Sequence, residues 1–368
     1  MKNTKSTGIV LFALLTLFFT TSCSTTARDN ANNQNSPKNI ILLIGDGMSF
    51  AHLQAGILAS ENSLTLEQFN NIGFIKTSSA SDFITDSGAA GTAIATGVKT
   101  NNGSIGMDPD GNPVKSILHI ADQNGLSTGI VATCDITHAT PASFIAHQPS
   151  RNMAEAIALD FLDTDVDVFI GGGRSRFEDR EDGRDLLEEL ETKGYQLAYH
   201  MDEVKQVSSG KLAGFIAEGH PPKYSEQRGD MLPEAVEKAI SIISQNPEGF
   251  FIIIEGSQID WGGHDNDIDY IVNEVLDFDR AVGKAMDFAR QDGETLVVVT
   301  SDHDTGVLAL HGFDPETREV AAGFTTGGHT GLMQPVFAWG PGAEKFTGIY
   351  ENADIFDKML ESYGFSKN

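Results

Sequence analysis

The chain has 368 residues, and no linker divides them, so one large α/β domain with modest insertions is expected rather than two domains. It holds 52 Asp and Glu against 25 Lys and Arg, a formal net charge of -27. A chain this acidic argues against nucleic acid as a partner, although a local cluster of metal cations would still attract an anionic substrate.

At the N-terminus, Lys2 and Lys5 precede the apolar run Gly8 to Thr20. That run is too short to span a bilayer comfortably and suits the core of a signal peptide. Thr21 and Ser22 lead to Cys23, and a polar, Asn-rich stretch without apolar periodicity follows. The pattern resembles a bacterial lipoprotein signal with Cys23 as the lipidated first residue. Thr20 stands where such signals usually carry Leu, which leaves an ordinary cleaved signal as the alternative. The expected division is signal peptide 1–22, polar tether 23–38 and one main domain 39–368, in an exported protein that is periplasmic or anchored to a membrane by Cys23. Cys134, the other cysteine, sits in the apolar run GIVATC, which predicts a buried thiol rather than a ligand, and no internal disulfide.

Short runs rich in Val and Ile predict strands at Asn39 to Ile44, Ser127 to Cys134, Val166 to Ile170, Phe250 to Ile254 and Thr295 to Thr300. Between them, helical periodicity falls near Ser87 to Thr96, Val114 to Asn124, Asn152 to Leu162, Arg184 to Lys193, Leu232 to Gln245 and Asp269 to Arg290. This alternation predicts a parallel sheet covered by helices. Tyr195 to Tyr224 is less periodic, and Thr305 to Thr326 leaves the core and returns before His329, so both predict surface insertions.

The ends of these strands carry the chemistry. The first runs into Gly45-Asp46-Gly47, the second into Asp135, His138 and Thr140, the one at 250 into Glu255, and the one at 295 into Asp302-His303. In open parallel sheets ligands sit beyond the carboxyl ends of the strands. Singly, each residue has a bland explanation: a turn brace, a helix cap, a structural histidine. Together they supply Asp, Glu and His in the mixture that binds Zn²⁺ or Mg²⁺ without thiolate. The run FFIIIEGSQIDWGGHDND adds Asp260 and His264 in an Asp-x-x-x-His spacing, which one local turn aims at a single ion. In ITDSGAAGT, Ser87 opens a helix whose first turn is nearly bare of side chains, so backbone N–H groups face an incoming anion. A serine hydroxyl needs activation, and metal coordination would provide it.

Taken together, the pieces IGDGM (44–48), TDSGAAGTA (85–93), HATPASFIAH (138–147) with SRN (150–152), EGSQIDWGGH (255–264), TSDHDTG (300–306) and GGHTG (327–331) resemble the alkaline phosphatase family. The resemblance implies a three-layer α/β/α sandwich with a central, mostly parallel sheet and small surface insertions. It implies metal-dependent hydrolysis of small-molecule phosphate monoesters through a phosphoserine on Ser87, with two zinc ions and one magnesium ion. Asp260, His264 and His329 match the ligands of the first zinc; Asp46, Asp302 and His303 match those of the second. Asp46 also matches a bridge to the magnesium site, shared with Thr140 and Glu255. Arg151 matches the arginine that holds two phosphate oxygens with its planar fork. His138 and Trp261 stand where some members carry Asp near the third metal and Lys near the phosphate. These two departures predict weaker magnesium affinity or zinc occupancy, and weaker retention of phosphate. A phosphodiesterase or phosphotransferase of the same superfamily is the nearest alternative, and an exported phosphate- or metal-binding protein a more distant one. The shortness of the 305–326 excursion leaves a monomer and a homodimer with a reduced interface both open.

Overall fold

The computed structural model describes residues 1–4 and 36–366. The expected signal core, Cys23 and all of the tether up to residue 35 lie outside the described residues. Along the chain, β1 (Asn39–Gly45), α1 (Phe50–Ala59), β2 (Asn71–Lys76), α2 (Ser87–Thr96) and α3 (Ile117–Gln123) come first. Next are β3 (Ser127–Asp135), α4 (Ala139–Ala142), α5 (Ala154–Asp163), β4 (Val168–Gly172), α6 (Ser175–Glu178) and α7 (Leu186–Thr192). Then follow β5 (Tyr195–Ala198), α8 (Met201–Gln206), β6 (Lys211–Phe215), α9 (Met231–Ile243), β7 (Phe250–Gly256), α10 (Gln258–Asp265) and α11 (Ile268–Asp292). The last are β8 (Thr295–Thr300), β9 (Asp304–Thr305), β10 (Leu308–Phe313), β11 (Val320–Phe324), β12 (His329–Thr330), β13 (Gln334–Trp339), β14 (Gly348–Glu351) and α12 (Asp354–Tyr363).

Ten strands form one sheet in the order β14-β2-β13-β8-β1-β7-β3-β4-β6-β5. Only β13 runs against its neighbours β8 and β2; every other pairing is parallel. The apolar alternation of β1 shows why both faces must be covered. Ile40, Leu42 and Ile44 join the core under α3, α5, α7 and α12, whereas Ile41 and Leu43 join the core under α1, α9 and α11. Strands buried on both faces read as unbroken Val and Ile runs, which is why the central ones were legible in the sequence. No helix of the described residues is long and apolar enough to cross a membrane.

One expectation is overturned. Tyr195 to Tyr224 is not a surface insertion, because it contributes β5 and β6, the last two strands of the sheet. These strands are only four and five residues long, too short for a conspicuous apolar run, and β5, at the very edge, is only half-buried. Thr305 to Thr326 does leave the sheet, and folds as the separate hairpin β10–β11. The register of the central strands brings their ends level: Ile44 pairs with Glu255 on one side and with Thr300 on the other, and Ala132 pairs with Glu255. The residues that follow these positions therefore emerge at one edge.

Candidate active site

Two clusters of ligand-type side chains stand at that edge. Asp260, His264 and His329 form one, and Asp46, Asp302 and His303 the other, each with its ligand atoms within 4.8 Å of one another. In the first, Asp260 and His264 share a face of α10 four residues apart, with Nε2 of His264 3.4 Å from Oδ2 of Asp260. His329 arrives from β12, which pairs with β9, and its Nε2 lies 3.6 Å from Asp260 Oδ1 and 3.2 Å from His264 Nε2. Its Nδ1 faces the carbonyl of Thr85 at 3.0 Å, so the imidazole is held from behind. In the second cluster, Nε2 of His303 lies 3.2 Å from Asp302 Oδ2 and 3.4 Å from Asp46 Oδ1. The turn after β1 needs Gly47: its φ is +69°, and an added Cβ would stand 2.8 Å from both Asp260 Cα and Thr305 Oγ1.

Ser87 is the first residue of α2 and is buried. Its Oγ is 3.1 Å from His303 Nε2, which places it beside the second cluster. Asp86, not Ser87, caps the helix, accepting from the Ala89 N–H at 2.9 Å. Arg151 lies across from it, with Nη1 donating to Asp86 Oδ2 at 3.0 Å and Nη2 3.4 Å from His138 Nε2. Although burial opposes it, the Ala89 N–H and the Arg151 guanidinium hold the Asp86 carboxyl below its usual range. His138 packs edge-on against Trp261, and Trp261 against His220, with ring centroids 6.2 Å and 4.8 Å apart.

The electrostatics ask for cations. Burial, and then the charges of Asp302, Asp260 and Glu255, push Asp46 well above the carboxylate range. Burial likewise raises Glu255 to about 7 and Asp302 to about 6. The hydroxyl of Ser257 and the thiol of Cys134 lie beside Glu255 and hold it down only in part. Burial drives His303 and His138 down to about 3, leaving both rings neutral and able to act as ligands. His264 runs the other way, raised to about 9 by its bond to Asp260, while Asp260 stays low despite its burial.

Buried oxygens with no hydrogen-bond partner fit the same picture: both of Asp46, Oδ2 of Asp302, Oε1 of Glu255 and Oγ1 of Thr140. Polar atoms left bare in a dry interior are costly, on the order of 1–3 kcal/mol each, and divalent cations would satisfy them. The carboxylate and imidazole donors suit Zn²⁺ in the two clusters, and the oxygens of Asp46, Thr140 and Glu255 suit a harder ion.

Every residue expected at the site from the sequence thus comes to this one edge. Three partners were missed. Thr305 donates its hydroxyl to Asp260 Oδ1 and sits 3.3 Å from His303 Nδ1, tying the two clusters together. Asp86 braces Arg151, and the Cys134 thiol touches Glu255. Thr305 and Asp86 stood inside the TSDHDTG and TDSGAAGTA pieces, but their contacts span 45 and 65 positions of sequence.

A family model described as Alkaline phosphatase matches residues 37–322. The chain is 33% identical to alkaline phosphatase 3 of Bacillus subtilis (strain 168), over 91% of this chain and 90% of that protein. Among solved structures, the alkaline phosphatase from the Antarctic bacterium TAB5 superimposes with a TM-score of 0.87 at 42% identity, covering 90% of this chain and 99% of that one. A histidine-to-aspartate mutant of the TAB5 enzyme, with Mg bound in the M3 site, superimposes with a TM-score of 0.86 at 41% identity over the same shares. The chain belongs to the alkaline phosphatase family, whose members are phosphoric monoester hydrolases.

Proposed function

We propose that this enzyme hydrolyses phosphate monoesters to an alcohol and inorganic phosphate in two displacements, with Ser87 as the nucleophile. The observation that carries the reading is the position of Ser87 Oγ, 3.1 Å from His303 Nε2 and at the N-terminus of α2. There a phosphorus atom would meet the hydroxyl while its oxygens face backbone N–H groups. In the first step Ser87 Oγ bonds to phosphorus, the ester P–O bond breaks and the alcohol leaves. In the second, water attacks phosphorus from the vacated side, the Ser87 Oγ–P bond breaks and phosphate is released.

Arg151 binds two equatorial oxygens with its planar fork, and Asp86 fixes the direction in which that fork points. Asp260, His264 and His329 would hold one zinc ion, Asp46, Asp302 and His303 a second, and Asp46, Thr140 and Glu255 a third ion, for which Mg²⁺ is the family expectation. Bound there, the ions would supply Lewis-acid stabilisation of the charged oxygens. Trp261 and His138 border the phosphate seat without adding a cation, and this favours release of product. Nothing in this arrangement reads the alcohol, so broad monoester specificity follows. The lysines and short apolar run at the N-terminus support export, with Cys23 as a lipid anchor.

Hydrolysis of a chromogenic phosphate monoester tests the reading. Activity should vanish on chelation, return with Zn²⁺ and Mg²⁺, and fall by roughly three orders of magnitude or more in Ser87→Ala. Turnover that survives in Ser87→Ala would sink the serine mechanism; turnover indifferent to chelator would sink the metal sites.

A further inference from the structure

The chain between β6 and α9 brings a histidine to the rim of the phosphate seat. The carbonyl of Gly219 accepts from the Gly173 N–H at 2.8 Å, and that of Pro221 accepts from Gln258 Nε2 at 2.9 Å, so His220 is held from both sides. Its Nδ1 accepts from the Asp135 N–H at 3.0 Å, which puts the ring proton on Nε2, and the residue is exposed. Asp135 turns its buried carboxylate to Arg176, whose Nε donates to Oδ2 at 3.1 Å while the side chain stays 46% exposed. Among the described residues, nothing accepts from Nη1 or Nη2 of Arg176 or from Nε2 of His220. The phosphate seat is built the same way: Asp86 braces Arg151, and Arg151 Nη2 stands 3.4 Å from the imidazole of His138. The rings of His138 and His220 are 5.7 Å apart, and Trp261 packs against both. A second Asp-braced arginine with its own imidazole thus lies one ring contact beyond the first. A planar fork and a ring N–H, both left without acceptors, are the donors that bind a phosphate group.

We propose that Arg176 and His220 form a second anion subsite at the rim, which receives a further phosphate group carried on the alcohol of the substrate. Bisphosphates, in which each phosphate is a monoester, are then preferred over simple alkyl phosphates. In a chain of net charge -27 such a substrate is repelled as a whole, and the rim donors offset that repulsion where the second phosphate comes to rest. The inference rests on Arg151 marking the seat of the scissile phosphate in the function proposed above, and adds which monoesters are turned over best.

Linear diol bisphosphates test it, from propanediol to octanediol, each compared with the n-alkyl phosphate of the same length on the metal-loaded full chain. Counted per phosphate end, kcat/KM for at least one bisphosphate is expected to exceed that of its alkyl phosphate by about threefold to tenfold. The gain should lie in KM rather than kcat, and should shrink as salt is added. Arg176→Gln and His220→Gln should each cut the advantage while lowering kcat/KM for the alkyl phosphate far less. No advantage at any length would overturn the proposal, as would an advantage that both variants leave intact. A variant that lowers both substrates alike would show a structural role instead and would overturn it too. His220→Gln and the wild-type comparison decide the question if Arg176→Gln fails to fold. Alkyl phosphate turnover without any bisphosphate advantage removes only the subsite, whereas no turnover of either substrate removes the function on which it rests.

Discussion

The acids and histidines of the site have been pushed in opposite directions by the same burial, and the consequence is a metal affinity that follows pH. His303 and His138, lowered to about 3, are neutral at any working pH and lose no proton when an ion binds. Asp302 and Glu255, raised to about 6 and about 7, must give theirs up, and so must His264, raised to about 9 by Asp260. A proton on a ligand competes with the metal, so affinity falls as pH drops below the pKa of that ligand in the metal-free protein. Affinity should therefore climb from pH 6 to pH 9, by about tenfold per pH unit for each proton displaced. Competition against a chelator of known affinity at several pH values measures this, and a flat profile from pH 6 to pH 9 would refute it.

Among the elements, α2 is unusual in being buried on every side, and its small residues explain how. An added Cβ at Gly91 would stand 2.9 Å from Ser143 Oγ and 3.1 Å from Ser143 Cβ, so a methyl there would force Ser143 to move. Gly91→Ala is expected to destabilise the fold by about 1–3 kcal/mol through overpacking. It should also lower kcat by roughly tenfold or more, because Ser87 shifts against Thr140 and the two clusters. Denaturant melts with steady-state kinetics separate the two effects, and unchanged kcat would show that the α2–α4 contact does not set the position of Ser87. The helix expected near Ser87 to Thr96 is the observed α2, which the structure shows running from its Asp86 cap to Gly97 at φ +71°. The sequence did not foretell β2, β13 or β14. β2 and β14 are only half-buried, and β13 contains Pro335 and runs antiparallel, so none shows the unbroken Val and Ile run of a central strand. At the site, local motifs exposed the acids and histidines of the two clusters and Ser87. The hydroxyl of Thr305 and the thiol of Cys134 became meaningful only once folding set them against Asp260 and Glu255.

For the molecule as a whole, the level ends of β1, β7, β3 and β8 concentrate carboxylates where water is excluded, and the fold is asked to hold them together. Ions that bind only the folded chain stabilise it by mass action, about 4 kcal/mol at a thousandfold excess over the dissociation constant. Chelation should therefore lower the melting temperature by on the order of 5 °C or more, and restoring Zn²⁺ should reverse the loss. An identical melt with and without chelator would show that the clusters do not bind ions strongly enough to matter to folding. The central claim, that phosphorus passes through Ser87, is tested most directly by trapping the intermediate. The enzyme is mixed with a ³²P-labelled monoester, quenched in acid and mapped by peptide digestion. The account predicts one labelled peptide bearing phosphoserine at Ser87, absent from Ser87→Ala. Label on another residue, or full turnover without any labelled serine, would contradict it.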